Sequence, residues 1–360
     1  MSLEPPRPGS AAELHLREIA HGLEREGWDV ATLWRRRQRG VRNLLGLLTF
    51  QLGVAAKVRR FDVLYLRWHP LGLLMTEAAR VAQVPYVLEV NGTVDDMVLA
   101  HPRAAFLRAW LLRAAGRQFR GAAQAIAVAP GLAHWVEQMA KGRTKATFLH
   151  NGAPEALAHR ATEARTPPYA VFFGELALWQ GIDTLLDSRR SRSWPAGVRL
   201  VVAGDGTLRE AVAGAHDDGL VDYVGKVPRD AAHDLLAGAI ASISPQTARV
   251  RRNLHGVSPM KVSESLMLGV PPIVSALPGQ RELVAAAPVG FVVEPDDPEA
   301  VAAAVRAALD VREEQRSALR EYATDTVSWR TVAERTSRLC TYAVERPNDV
   351  GVGGPERGVE

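Results

Sequence analysis

The chain has 360 residues, 47% of them apolar and 23% charged, which excludes wholesale disorder and collagen-like repeats. Its single cysteine, Cys340, excludes an intramolecular disulfide framework and a cysteine-cluster zinc site, and fits a reducing, cytoplasmic compartment. The net charge of +4 is uneven: residues 1–150 carry 21 Lys+Arg against 12 Asp+Glu, and residues 151–360 carry 23 against 28. A basic first part suits an anionic partner, such as a membrane surface or a phosphorylated ligand. No apolar run approaches the roughly 18 residues of a spanning helix, and the N-terminus has no secretory signal pattern.

Short β-rich apolar runs alternate with helical patterns along the chain. The runs fall at 28–34, 62–67, 85–90, 124–129 and 146–150, then at 169–173, 199–203, 221–224, 240–244, 272–275 and 289–293. Helix-period stretches include 11–26, 71–82, 299–309 and 328–343. This alternation predicts parallel sheets covered by helices on both faces. So many strands exceed one ordinary open sheet, and the polar stretch 151–168 marks a break where the charge balance changes sign. The expected architecture is α/β: two doubly wound, Rossmann-like domains facing a cleft, over 1–155 and 156–327. A C-terminal helix over 328–345 would be free to pack back on the first domain, and the Gly- and Pro-rich tail 346–360 reads as disordered. A doubly wound domain usually opens with a buried strand before its first tight turn. Pro8-Gly9-Ser10 would be that turn, and the few residues before it, Pro5 and Pro6 among them, predict a first domain lacking its first strand.

Residues 254–282, LHGVSPMKVSESLMLGVPPIVSALPGQRE, carry the most information. Ser258-Pro259 reads as a helix start, with Ser258 as N-cap and proline at the first helical position. His255-Gly256-Val257 would then be a loop running into a helix N-terminus, where backbone N–H groups favour an anion. Lys261 and Glu264, three residues apart, should share a face. A cation in the first turn opposes the helix dipole, so a bound phosphate would explain Lys261, while Glu264 could accept the two hydroxyls of a ribose; the plain alternative is a surface ion pair. Two further glycine turns, Gly174-Glu175 and Gly204-Asp205-Gly206, follow strands and would let a ligand approach the backbone closely.

These residues fall in a familiar order. Phe173-Gly174-x-Leu176-x-x-Trp179-Gln180-Gly181-Ile182-Asp183, Val201-Val202-Ala203-Gly204-Asp205-Gly206, Val224-Gly225-x-Val227-Pro228, Ser258-Pro259-Met260-Lys261 with Glu264, Gly269-Val270-Pro271, and Pro278-Gly279 with Glu282 resemble the family-4 glycosyltransferases, retaining enzymes of GT-B fold. In the first half, Asp62-Val63-x-Tyr65-x-Arg67, Leu88-Glu89-Val90-Asn91 and His150-Asn151-Gly152 are similar to a branch acting on polysaccharide or lipid-linked acceptors. The resemblance implies a nucleotide-sugar donor on the second domain, at Gly174, Glu175, Gln180, Gly204, Gly206, Arg251, His255, Gly256, Val257, Ser258, Lys261 and Glu264. It implies a glycan or lipid-linked acceptor on the first domain, near Gly9, Ser10, Arg67, Trp68 and Glu89, with Trp68 able to stack on a sugar. Neither a cofactor nor a metal is implied; the acid pairs Asp95-Asp96 and Asp296-Asp297 read as capping or solvated residues.

Departures from the pattern matter. Many members carry two glutamates separated by seven residues, and the first position here is Gly256. Positions that often hold an arginine and a lysine hold Glu175 and Gln180, so Lys261 and the nearby Arg249, Arg251 and Arg252 are the candidates to replace the lost charge. Asn91 stands where many members have a histidine; it can hydrogen-bond a hydroxyl but is no base at neutral pH. The leaving diphosphate can take the acceptor's proton instead, so Asn91, Lys261 and Glu264 are expected at the reacting centre, acting by position and charge. The alternative is a non-catalytic descendant that binds nucleotide-sugar or scaffolds other enzymes; a nucleotide-sugar epimerase would need paired acid and base residues that do not stand out. The apolar stretch 44–56, bracketed by basic clusters within 34–60, predicts peripheral contact with an anionic membrane at its inner face, against the plain reading of a core helix. Only net charge favours nucleic acid, and none is expected.

Overall fold

A computed structural model describes residues 1–3, 10–35, 41–160 and 166–346. The chain divides into two units: Met1–His150 with the chain from Val332 onward, and Asn151–Thr331.

The first unit holds a parallel sheet in the order β1 (Leu64–Arg67), β2 (Tyr86–Val90), β3 (Gln124–Ala127) and β4 (Ala146–Phe148). Helices Leu73–Ala82, Arg108–Gly121 and Pro130–Ala140 connect successive strands. Leu64, Leu66, Leu88 and Val90 pack with Phe119 and Val136 in its core. Within helix Trp329–Glu345, Cys340 and Ala343 pack on Val87 and Ile126. The strand expected at 28–34 does not form: Trp34 makes only a single parallel bridge, to Ser2. Ser2 also bridges Arg67, so residues 1–3 lie beside β1 as the stub of an opening strand. Among the described residues one isolated bridge does not make the ladder that a strand over 28–34 would need. Gly9 and most of the tail lie outside the described residues.

The second unit is a six-stranded parallel sheet in the order β10 (Phe291–Val293), β9 (Pro272–Ser275), β8 (Ala241–Ser244), β5 (Tyr169–Glu175), β6 (Arg199–Asp205), β7 (Asp222–Gly225). Along β5, Ala170 and Phe172 enter one core with Leu185 and Val202, whereas Tyr169 and Val171 enter another with Leu266 and Val274. Both faces are thus covered, which is why these strands read as continuous apolar runs. The chain leaves β5 for β6 and β7, then returns to β8 on its other side. The carboxyl end of β5 is therefore a switch point, where such sheets bind ligands.

Candidate functional site

At that end Gly174 (φ 141°) lies in register with Gly204 (φ 150°) of β6. A Cβ on Gly204 would collide with the Gly174 carbonyl, and one on Gly206 with the Leu176 carbonyl. Two of the three glycines expected to admit a ligand are thus required by the close approach of the two turns to each other. Gly174 faces Lys261, whose Nζ is 3.5 Å from where its Cβ would be.

Lys261 belongs to helix Met260–Met267, which begins one residue later than expected, with Pro259 rather than Ser258 at the N-cap. Ser258 is drawn elsewhere: its Oγ accepts from the Asn151 N–H at 2.9 Å and its carbonyl from Asn151 Nδ2 at 2.6 Å. Ser263 Oγ donates back to the Asn151 carbonyl. Gly256 adopts φ 105°, and the Val257 N–H donates to Pro278 at 2.8 Å, so the 255–258 loop is fastened to its neighbours. Gly269, at φ 72°, follows the far end of the helix as the expected C-terminal glycine.

Lys261 is only 9% exposed. Its ammonium donates to Gln180 Oε1 at 2.9 Å and sits 3.9 Å from the centre of the Phe172 ring. No carboxylate pairs with it among the described residues. Burial pushes its pKa down to about 7. Glu175, on β5, is exposed. The structure therefore gathers Gly174, Gln180 and Lys261 into one constellation.

Glu264 turns a different way. Arg229 Nη2 donates to its Oε1, and His233 Nε2 lies 3.5 Å from the same oxygen. Lys261 and Glu264, expected on one face, thus engage different elements: Lys261 the β5 turn, and Glu264 helix Arg229–Ala237. Arg229 and His233 escaped sequence reasoning. Their i, i+4 spacing on a helix was readable, but the partner 31 residues beyond His233 was not.

In the first unit, only Arg67 of the other described acceptor-side candidates joins a network around Glu89, which is almost fully buried. Its carboxylate accepts from Tyr65 Oη at 2.6 Å, from Arg67 at 3.4 Å and from Asn91 Nδ2, and meets His15 Nε2 at 2.9 Å. Burial pushes this carboxyl up, but His15, Arg67 and the Tyr65 hydroxyl outweigh it and hold it well below the usual carboxylate range. Glu89 is therefore a hub committed to its own neighbours, and Asn91's amide is spent on it. Ser10 caps helix Ala11–Arg25, its Oγ accepting from the Glu13 N–H. Trp68 does not offer a sugar platform: it is buried between Phe119 and Trp135, at ring separations of 5.1 and 5.5 Å. Its apolar surface is worth more in that aromatic core than at the surface.

Residues 155–326 match the family model for glycosyl transferases group 1. That match spans nearly all of the second unit, Asn151–Thr331. Among solved structures the chain is similar to Anabaena HepE in complex with UDP, at 17% identity and TM-score 0.69, over 94% of this chain and 98% of that one. It is similar too to sucrose-phosphate synthase from Thermosynechococcus elongatus, at 15% identity and TM-score 0.69, over 92% of each chain. WaaG, a glycosyltransferase involved in lipopolysaccharide biosynthesis, matches at 15% identity and TM-score 0.63, over 94% of this chain and 98% of that one. These likenesses show the GT-B fold. Among curated protein sequences, none matches the chain.

Within the second unit, the three candidate arginines separate. Arg249 reaches Asp296 at 3.2 Å, and Arg252 lies over the Trp179 ring at 5.0 Å. Arg251 is exposed. Asp297 caps helix Pro298–Ala308, and in the first unit Asp96 caps helix Val94–Ala100 while Asp95 pairs with Arg108. Among the described residues there is no cluster of three or more His, Cys, Asp or Glu arranged to hold a metal, and no helix long and apolar enough to cross a membrane.

Proposed function

We propose that the chain transfers a sugar, with retention of anomeric configuration and without a bound metal, from a nucleoside-diphosphate donor to a glycan or lipid-linked acceptor. The observation that carries this reading is Lys261. A buried ammonium with only neutral partners costs free energy until an anion arrives, and a diphosphate is such an anion. It stands at the sheet's switch point inside a group 1 domain.

In this reading Lys261 faces the diphosphate, whose negative charge grows as the sugar departs. An ammonium fixed at that point stabilises the transition state more than the ground state. Exposed Arg251 supplies a second charge, and Glu264 takes the ribose hydroxyls. With Asn91 unable to act as a base and already bonded to Glu89, the leaving diphosphate accepts the acceptor's proton.

A thermal-shift panel of nucleoside diphosphates and nucleotide-sugars tests the reading, because a ligand selective for the folded state raises the melting point. One base series should raise Tm, and donor hydrolysis or transfer should persist in EDTA. A flat panel would overturn the proposal. Glu175 and Gln180 favour one second reading, a nucleotide-sugar binder without turnover; binding with neither hydrolysis nor transfer on any acceptor would establish it.

The same reading puts the chain in the cytoplasm, working against an anionic membrane. Helix Val41–Ala55 buries Gln51 and Val54 but leaves Leu45 57%, Leu48 46% and Leu52 56% exposed, a stripe at i, i+3 and i+7. Exposed Arg42, Lys57, Arg59 and Arg60 flank it. Apolar insertion with basic residues at the headgroups is how such helices hold a surface.

A further inference from the structure

We propose that Arg229 and His233 form a clamp that positions Glu264, holding its Oε1 so that Oε2 is presented to the two hydroxyls of the donor's ribose. The inference rests on the donor reading above and adds to it the residues that orient the carboxylate.

Arg229 and His233 lie one turn apart on helix Arg229–Ala237, so their side chains share a face. Both meet Glu264 at the same atom. Arg229 Nη2 donates to Oε1, and His233 Nε2 points at Oε1 from 3.5 Å. No described residue bonds to Oε2. A carboxylate oxygen accepts two hydrogen bonds, so one oxygen is given to the protein and the other keeps both lone pairs for a diol.

His233 supplies an independent sign that the site is built for more than the unliganded protein uses. It is 4% exposed, and its Nε2 is buried without a hydrogen-bond partner. At 3.5 Å it is just beyond hydrogen-bond reach of Oε1. Buried polar groups are rarely left unpaired, and those that are call for an explanation. A slight closing of the carboxylate toward His233, as Oε2 takes up the ribose, would pair it. The clamp also prevents the carboxylate from spinning about its terminal bond, so orientation is set before the ligand arrives.

The test compares affinities for the best-binding nucleoside diphosphate and for its 2′,3′-dideoxy form, by isothermal titration. Wild type, Arg229→Ala, Arg229→Lys and His233→Gln are measured, with Tm for each. Wild type should prefer the ribose form at least tenfold. Arg229→Ala should cut that preference below threefold and leave the dideoxy affinity unchanged; Arg229→Lys should restore part of it, and His233→Gln should reduce it two- to fivefold. A merely structural role would lower both affinities together and leave the ratio alone, and that result overturns the clamp. Wild type binding both forms equally also overturns it while leaving the donor reading intact, whereas wild type binding no nucleoside diphosphate overturns both. If Arg229→Ala fails to fold, Arg229→Lys and His233→Gln decide the matter.

Discussion

Lys261 and Gln180 meet at 2.9 Å within the second unit, a buried ammonium donating to a neutral amide. Gln180 can polarise toward the ammonium but cannot neutralise it. The charge therefore stays dependent on whatever anion the site receives.

That dependence sets a pH profile. Burial lowers the Lys261 pKa to about 7, so the ammonium is present below that pH and is lost above it. An intact nucleotide-sugar has no phosphate proton to lose near neutrality. Its affinity should fall as pH rises through about 7, with proton uptake on binding above that point, and Lys261→Met should weaken binding and flatten the profile. Titration calorimetry in two buffers of different ionisation enthalpy measures both; a pH-independent affinity in wild type would contradict the role given to Lys261.

The same group affects stability with a definite sign. The unfolded chain binds this proton up to about 10.5 and the folded chain only up to about 7, so stability rises with pH between those values. Lys261→Met removes the cost of burying the charge. It should stabilise the protein by about 1 kcal/mol or more at pH 6, and by less at pH 10. Chemical denaturation at the two pH values reads the difference.

Glu89 has the opposite sign. Its folded carboxyl is held well below its ordinary 4.5, so it contributes stability above that value, which is lost as pH falls below it. Glu89→Ala leaves Arg67 without its counter-charge, and His15 and Tyr65 without their buried carboxylate partner, and should cost about 3–5 kcal/mol at pH 7. The loss should shrink at pH 3, as measured by urea denaturation.

Two glycines are predicted to be irreplaceable for steric reasons alone. Gly181 has φ 70° and a Cβ there would strike the Pro245 carbonyl; Gly204 would strike that of Gly174. Alanine at either should destabilise by about 2 kcal/mol or more, because both the backbone angle and the contact resist it. Melting temperatures of the two variants check this.

Membrane contact is predicted to depend on the exposed stripe of helix Val41–Ala55. Replacing Leu45, Leu48 and Leu52 with serine should abolish co-sedimentation with anionic liposomes at low salt. Tm should barely change, because these side chains are exposed.

The amino-acid sequence by itself determined where the strands run and turn, the run at 28–34 excepted. Apolar runs such as 169–173 and 199–203 mark strands covered on both faces, and the glycines after them mark turns, because these are properties of neighbouring residues. It also exposed Lys261 as a cation needing a partner, through its place in a first helical turn. Tertiary structure alone decided what each polar group meets. Lys261 finds Gln180 rather than Glu264, Glu264 finds Arg229 and His233, Glu89 spends itself on His15, Tyr65, Arg67 and Asn91, and Trp68 closes an aromatic core. Apart from Asn91, two residues from Glu89, those partners lie tens of residues apart, and no local spacing encodes them: which side chains touch follows from how helices seat on a sheet, a consequence of packing the whole core at once.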